Sequence, residues 1–192
     1  MFIGIVEHKA KVKRVVPDGL GREVTMSRPK GWSFRVGDSV SVQGVCSTVI
    51  SQRKGEFVVA YMEETLTKTT CAHFSAGTVV NLERSLQYGA RVHGHLVQGH
   101  VSSLGSVTHV ETKKHQWNIT IRVAADERRY LVSKGSITID GVSLTIAKKT
   151  KDGCVVSIIP HTAAVTTLGA LKKGDTVNIE TDFLLRAYLM KS

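Results

Sequence analysis

Long hydrophobic runs are missing from this chain. Across 192 residues no apolar stretch approaches the roughly 18 that a membrane-spanning helix needs, so no membrane partner is expected. Cysteine is scarce. Cys46, Cys71 and Cys154 form an odd, widely spaced set without a Cys-x-x-Cys pair. That excludes a disulfide framework and a structural zinc site, and it points to a reducing, cytoplasmic setting. The opening Met-Phe-Ile-Gly-Ile-Val-Glu puts no basic segment ahead of a long apolar one, so it does not read as a signal peptide but as a strand starting at the first residue. Proline occurs 3 times, which leaves extended segments few forced breaks. Acidic residues are outnumbered, 16 against 26 basic ones, for a net charge of +10. The basic residues are scattered over turns and alternate strand positions, and no aromatics are interleaved among them as stacking platforms. The charge therefore reads as solubility and attraction for anionic small molecules, and nucleic acid is not an expected partner.

What the chain does have is a repeat. Ser39-Val-Ser-Val-Gln-Gly-Val-Cys-Ser-Thr-Val49 matches the stretch from Ser136 to Ile146, with Gly44 falling on Gly141 at an offset of 97 residues. The offset continues without a gap: Thr65 falls on Thr162, Thr69-Thr70 on Thr166-Thr167, and Val80-Asn81 on Val177-Asn178. One supersecondary unit is thus used twice. The copies differ in chemistry. Cys46 stands opposite Ser143, Gln43 opposite Asp140 and Glu64 opposite His161, and in the opening segments, which match at an offset of 95, Ile5 stands opposite His100. Two similar pockets with different groups suit an enzyme that handles two copies of one ligand.

Period-2 alternation dominates both units. The first reads as strands over residues 10–16 and 22–27, a hairpin of 39–51 with 56–62, a short helix within 64–74 and a last strand over 79–83. Six short strands at this spacing predict a closed Greek-key barrel, because closure removes exposed edges. The expected architecture is all-β: two tandem similar six-stranded Greek-key barrels, residues 1–86 and 91–182, joined at 87–90 and followed by a short C-terminal helix over 183–192. The tail Phe183-Leu-Leu-Arg-Ala-Tyr-Leu-Met-Lys-Ser192 carries too much apolar surface to leave in water and calls for a partner subunit.

Candidate chemistry can be weighed residue by residue. Cys46 within a strand is by default a small buried hydrophobe. His93, His95 and His100 are spaced like metal ligands, yet no carboxylate follows at a ligand spacing, so no metal is expected. The Thr cluster at 65–70 recurs at 162–167, which points to a shared structural task such as shaping a loop around a polar ligand tail.

Taken together, Met-Phe-x-Gly-Ile-Val-Glu, Gly-Val-Cys-x-Thr-Val at 44–49, Glu64-Thr-Leu66, Val80-Asn-Leu-Glu-Arg84, Gly94-His-Leu-Val-Gln-Gly-His100 and the run from Lys134 to Thr145 resemble the riboflavin synthase family. The likeness spans essentially the whole chain in order. It implies a homotrimer of two-barrel subunits held by C-terminal helices, with each active site between the N-terminal barrel of one subunit and the C-terminal barrel of its neighbour. It also implies a dismutation of two 6,7-dimethyl-8-ribityllumazine molecules to riboflavin and 5-amino-6-ribitylaminouracil, without cofactor or metal.

By this resemblance, His100, Cys46 and Ser39 are the polar groups nearest the chemistry, with Ser143, Thr145 and Asp140 as counterparts in the other barrel. Gly4, Ile5 and Val6 are expected to line the pockets, with Cys46, Ser47, Thr48 and the run Ala60, Tyr61, Met62, Glu63, Glu64 and Thr65. Gly99, His100, Val101, Lys134, Ser143, Leu144 and Thr145 join them, as do Ser157, Ile158, Ile159, Pro160, His161 and Thr162. The chain departs from the family pattern at Ile3, Gln43, Ser47, Ala163 and Ala164. Non-catalytic lumazine-binding relatives keep both barrels but usually lose the Gly-His-x3-Gly-His segment, which is present here. A non-catalytic flavin- or lumazine-binding paralogue is the alternative.

Overall fold

The computed structural model describes residues 1–114 and 116–190; residues 191 and 192 of the expected tail lie outside them. The first unit contributes strands β1 (His8–Asp18), β2 (Gly21–Ser27), β3 (Ser39–Val42), β4 (Val45–Arg53), β5 (Glu56–Tyr61) and β6 (Val79–Arg84). They close antiparallel in the order β1-β2-β5-β4-β3-β6. Helix α1 (Glu63–Lys68) and a 3₁₀ turn over Thr70–His73 bridge β5 and β6. The second unit repeats this with β7 (Ser103–Lys113), β8 (Gln116–Arg122), β9 (Ser136–Ile139), β10 (Val142–Lys149), β11 (Gly153–Ile158) and β12 (Thr176–Thr181). It closes as β10-β11-β8-β7-β12-β9, with α2 (Pro160–Val165), a 3₁₀ turn over Thr167–Ala170, and α3 (Phe183–Leu189) last.

Alternation fills each barrel from the inside. On β4, Val45, Ser47 and Val49 are buried while Thr48 and Ile50 are exposed. Met26, Phe57 and Leu82 in one barrel, and Ile119, Ile121, Ile137, Ile139 and Ile146 in the other, are almost completely buried. Each such side chain contributes about 1.5–3 kcal/mol of transfer free energy.

Two sequence expectations are corrected. Residues 39–51 are not one strand, because Gln43 and Gly44 take φ of 50° and 83° and fold the stretch into the β3–β4 hairpin. Asp140 and Gly141 do the same between β9 and β10, with φ of 48° and 81°. Two successive left-handed residues make the turn whose twist suits a tight hairpin. Nor does a strand start at the first residue. Phe2 forms only an isolated bridge with Val97, and Gly4, at φ of 72°, breaks the extended run before β1.

The barrels meet at a seam with approximate twofold character. The Asn81 side-chain amide donates to the Asp140 carbonyl and to Thr167 Oγ1, both at 2.9 Å, and its Oδ1 accepts from the Thr167 amide. Asn178 mirrors this, donating to the Gln43 carbonyl and Thr70 Oγ1 and accepting from the Thr70 amide. The Thr clusters thus serve the seam. Thr69 and Thr166 also accept from the amides of Cys71 and Leu168, capping the two 3₁₀ turns.

Helix α3 starts at Asp182, whose carboxylate accepts from the amides of Leu184 and Leu185. Arg186 pins it to the second barrel by donating to both oxygens of the buried Glu127 at 2.9 and 2.7 Å. Leu184, Tyr188 and Met190 remain 57, 72 and 74% exposed.

Candidate functional site

The residues that leave the barrel interior build the site. Because Val45, Ser47 and Val49 point inward, Cys46 and Thr48 face out, and the register places Cys46 beside Ser41 and Thr48 beside Ser39. In the second barrel Ser143 pairs with Thr138 and Thr145 with Ser136. Each barrel thus presents four hydroxyl or thiol positions on one outer strand face, and the thiol occurs only in the first.

A short strap roofs each face, and the straps are exchanged. The segment before β1 lies over the second barrel: the Gly4 carbonyl accepts from the Ser143 amide at 2.8 Å, and Val6 packs against the second core. The segment before β7 lies over the first barrel, with the Gly99 carbonyl accepting from the Cys46 amide at 2.8 Å and Val101 packed against the first core. A Cβ on Gly4 would lie 2.5 Å from the Ser143 Cβ, and one on Gly99 would lie 2.8 Å from the Cys46 Cβ. Both glycines are required by this approach as well as by their left-handed φ.

In the sequence His95 belongs to the Gly-His-x3-Gly-His segment and to a metal-like histidine spacing, and the structure gives its ring a specific place. Its Nδ1 lies 2.7 Å from Ser143 Oγ and its Nε2 lies 3.2 Å from Thr138 Oγ1. Burial pushes its pKa below the usual histidine value, with Asp182 acting in the other direction. A neutral imidazole fits such a pair, one nitrogen donating to a hydroxyl and the other accepting from one. The signal in the sequence was the Gly-His-x3-Gly-His segment itself; the structure adds that a Cβ on Gly94 would lie 2.0 Å from the Ile3 carbonyl oxygen.

The other expected site residues divide into groups. The run Ala60–Thr65 lines an open cleft of about 560 Å³, closed opposite by Asp18, Leu20 and Gly21. His100 and Val101 line a second cleft of about 420 Å³ between the strap and α3, with Glu180, Phe183 and Arg186. Ile159, Pro160, His161 and Thr162 sit at the start of α2, where Ser157 donates to Asn118 Oδ1 at 2.7 Å. Glu63 is exposed, Glu64 pairs with Lys68 at 2.6 Å, and Lys134 stands exposed at φ of 70° before β9. Alternation turns several side chains inward. Ser47 and Tyr61 share a hydrogen bond of 3.0 Å inside the first barrel, and Leu144 and Ile158 pack in the second core.

Asp140 does not join the strand face. It lies in the seam, 1% exposed, its Oδ1 accepting from the Asn178 amide at 2.8 Å. Burial raises its pKa from 3.8 to about 7, against the hydrogen bonds from Asn178 and Gln43. An acid whose folded pKa lies above its unfolded one holds extra protons in the folded state between the two values. Its contribution to stability is therefore full below about pH 4 and lost as the pH rises to about 7. Asp140→Asn keeps an acceptor for Asn178 and suits the left-handed turn. Its melting temperature is expected to vary less than the parent's between about pH 4 and 7, with the variant ahead at the alkaline end. An unchanged slope would remove Asp140 as a source of the pH dependence.

Two like barrels, each with a hydroxyl-bearing face roofed by the other's strap, define a tandem-barrel protein built to present two similar small-molecule sites. The lumazine binding domain family matches residues 3–85 and again residues 98–182. Riboflavin synthase of Actinobacillus pleuropneumoniae is 35% identical over 195 residues, covering 100% of this chain and 91% of that protein. The enzyme of Bacillus subtilis (strain 168) is 36% identical, covering 96% and 86%, and that of Mycobacterium tuberculosis (strain H37Rv) is 37% identical, covering 97% and 95%. The chain belongs to the riboflavin synthase family of lumazine-binding proteins. Among solved structures, LumP complexed with riboflavin shares the fold with a TM-score of 0.89 at 24% identity, covering 95% of this chain and 100% of that one.

Proposed function

We infer that this chain is a riboflavin synthase, an enzyme that converts two molecules of 6,7-dimethyl-8-ribityllumazine to riboflavin and 5-amino-6-ribitylaminouracil by moving a four-carbon unit, a transferase reaction. The observation that carries the reading is the doubled strand face with one chemical difference, Cys46 in one barrel and Ser143 in the other. One substrate used twice, as donor and as acceptor, requires two sites alike in shape and unlike in chemistry. Most of the acceleration comes from holding the two rings in a fixed orientation, where well-aligned intramolecular reactions reach about 10⁵–10⁸ M in effective concentration. A ring methyl must lose a proton and a nucleophile must add to the partner ring. In this reading His100, Cys46 and Ser39 serve the first face, and Ser143 and Thr145 serve the second. His95 holds the Ser143 hydroxyl in place.

The further reading is a cytoplasmic homotrimer, in which residues 1–86 and 91–182 are the two lumazine-binding units and the catalytic cavity forms between neighbouring subunits. The exposed apolar side chains of α3 support the assembly, and three free cysteines are consistent with a reducing setting. Among the described residues no helix is long and apolar enough to cross a membrane.

Of the departures that favour a non-catalytic paralogue, Ile3 sits in the strap over the second face, where its amide donates to Glu83, and the others lie away from the strand faces. Gln43 is in the seam, where its Oε1 accepts from the Asn81 amide, and Ser47 is inside the barrel. Ala163 packs on the second core, and the Ala164 carbonyl accepts from Lys9 Nζ. Incubation with the lumazine is expected to produce flavin absorbance, with one uracil product per riboflavin. Tight ligand binding with no riboflavin formed would leave the paralogue standing.

A further inference from the structure

Neither strap belongs to a strand ladder, so the backbone amides that carry them need other acceptors. One carboxylate per barrel supplies them. Glu83 on β6 accepts from the amides of Ile3 and Gly4 at 2.8 and 3.1 Å. Glu180 on β12 accepts from those of Gln98 and Gly99 at 2.7 and 2.9 Å. The next amide along, of Ile5 and of His100, also favours the charged carboxylate. Three successive amides around one anion form a concave cradle. Both acids are buried, at 4 and 6% exposure, and among the described residues neither joins an ion pair with a basic side chain. Burial raises the pKa of each to about 7, against the hydrogen bonds from the strap amides.

The direction of that hold is the unexpected part. Glu83 belongs to the first barrel, yet the segment it grips ends on the Ser143 amide of the second. Glu180 belongs to the second barrel, and its segment ends on the Cys46 amide of the first. We propose that Glu83 and Glu180 are positioning residues that act across the seam, each fixing the strap that roofs the other barrel's strand face. Each face is then tuned from the opposite unit, and register tolerance is small, because Gly4 and Gly99 sit at backbone distance from Ser143 and Cys46. Its effect on catalysis rests on reading the strand faces as substrate sites; the geometry it asserts does not.

The test needs no substrate. Cys46 is partly exposed while Cys71 and Cys154 are buried, so its alkylation by iodoacetamide, mapped by mass spectrometry, reports on the first face. The backbone ¹⁵N–¹H signal of Ser143, whose amide donates to the Gly4 carbonyl, reports on the second. Replacing a carboxylate with an amide turns one acceptor into a donor facing N–H, the loss of a charged hydrogen bond. In Glu180→Gln, Cys46 should react about tenfold faster while the Ser143 signal stays in place. In Glu83→Gln the Ser143 signal should move while the Cys46 rate holds. A response confined to the barrel that carries the substitution, an equal response at both faces, or none at either would overturn the proposal. If the variants do not fold, amide exchange of the wild-type protein decides: Gly4 and Gly99, outside any strand, should exchange slowly, and exchange at unstructured rates would reject the clamp. Absence of riboflavin formation with the crossed pattern intact would sink the functional reading alone.

Discussion

Turnover in the His100→Gln variant is expected to fall by about 10²-fold, the lower end of what a positioned general base contributes, with ligand binding nearly intact. His100 follows Gly99, whose carbonyl is tied to the Cys46 amide, so the strap backbone that roofs the face does not depend on the imidazole. The ring itself is exposed in the cleft beside α3, free to meet a substrate. Its counterpart in the other strap is Ile5, which has no proton to give. The comparison with Cys46→Ser sharpens the expectation. Ser143 occupies the same place in the second barrel, so a hydroxyl fits there without distortion, and the loss should be smaller than at His100. The measurement is kcat alongside lumazine affinity for both variants. Undiminished kcat in His100→Gln would take that residue out of the mechanism and leave substrate positioning as the main source of rate.

The largest effect on stability is expected at the two hairpin glycines of the seam. A Cβ on Gly44 would lie 2.6 Å from the Gly141 nitrogen, and one on Gly141 would lie 2.8 Å from the Gly44 nitrogen. The obstacle is backbone, which cannot rotate away, so the barrels must separate. Gly44→Ala also places a side chain at φ of 83°, a strain of about 1–2 kcal/mol by itself. With the seam bonds of Asn81 and Asn178 weakened, the total should reach about 3 kcal/mol or more. For a protein of this size that lowers the melting temperature by roughly 6–12 °C. Gly37→Ala separates the two contributions, because Gly37 has φ of 95° but nothing within 4 Å of an added Cβ. It should cost the strain alone. Equal melting temperatures for the two variants would mean that the seam gives way easily and does not hold the barrels in register.

Much of this molecule could be read as text. The constant offset between Gly44 and Gly141 announced two like units, and period-2 alternation announced barrels with Val45, Ser47 and Val49 on one side and Cys46 and Thr48 on the other. Those features are local: whether a side chain faces its own barrel's interior depends on the strand's period and on what lies next to it in sequence. The turns between β3 and β4 and between β9 and β10 were not legible: alternation carries 39–51 through as one strand, Gln43 and Asp140 are ordinary polar residues, and their left-handed conformation became evident only with both strands in place.

Tertiary structure alone decided what each barrel does to the other. Sequence adjacency assigns the segment before β1 to the first barrel, yet it serves the second, because the left-handed Gly4 and the Glu83 carboxylate turn it across the seam. Asp140 stands in the same repeat as Ser143 but faces Asn178, and His95 finds its partners on β9 and β10. The contacts that settle these positions are largely bonds to backbone amides and carbonyls, which every residue type carries. A pattern of side chains encodes burial within one barrel; it holds no record of which backbone groups of a second barrel will come within reach.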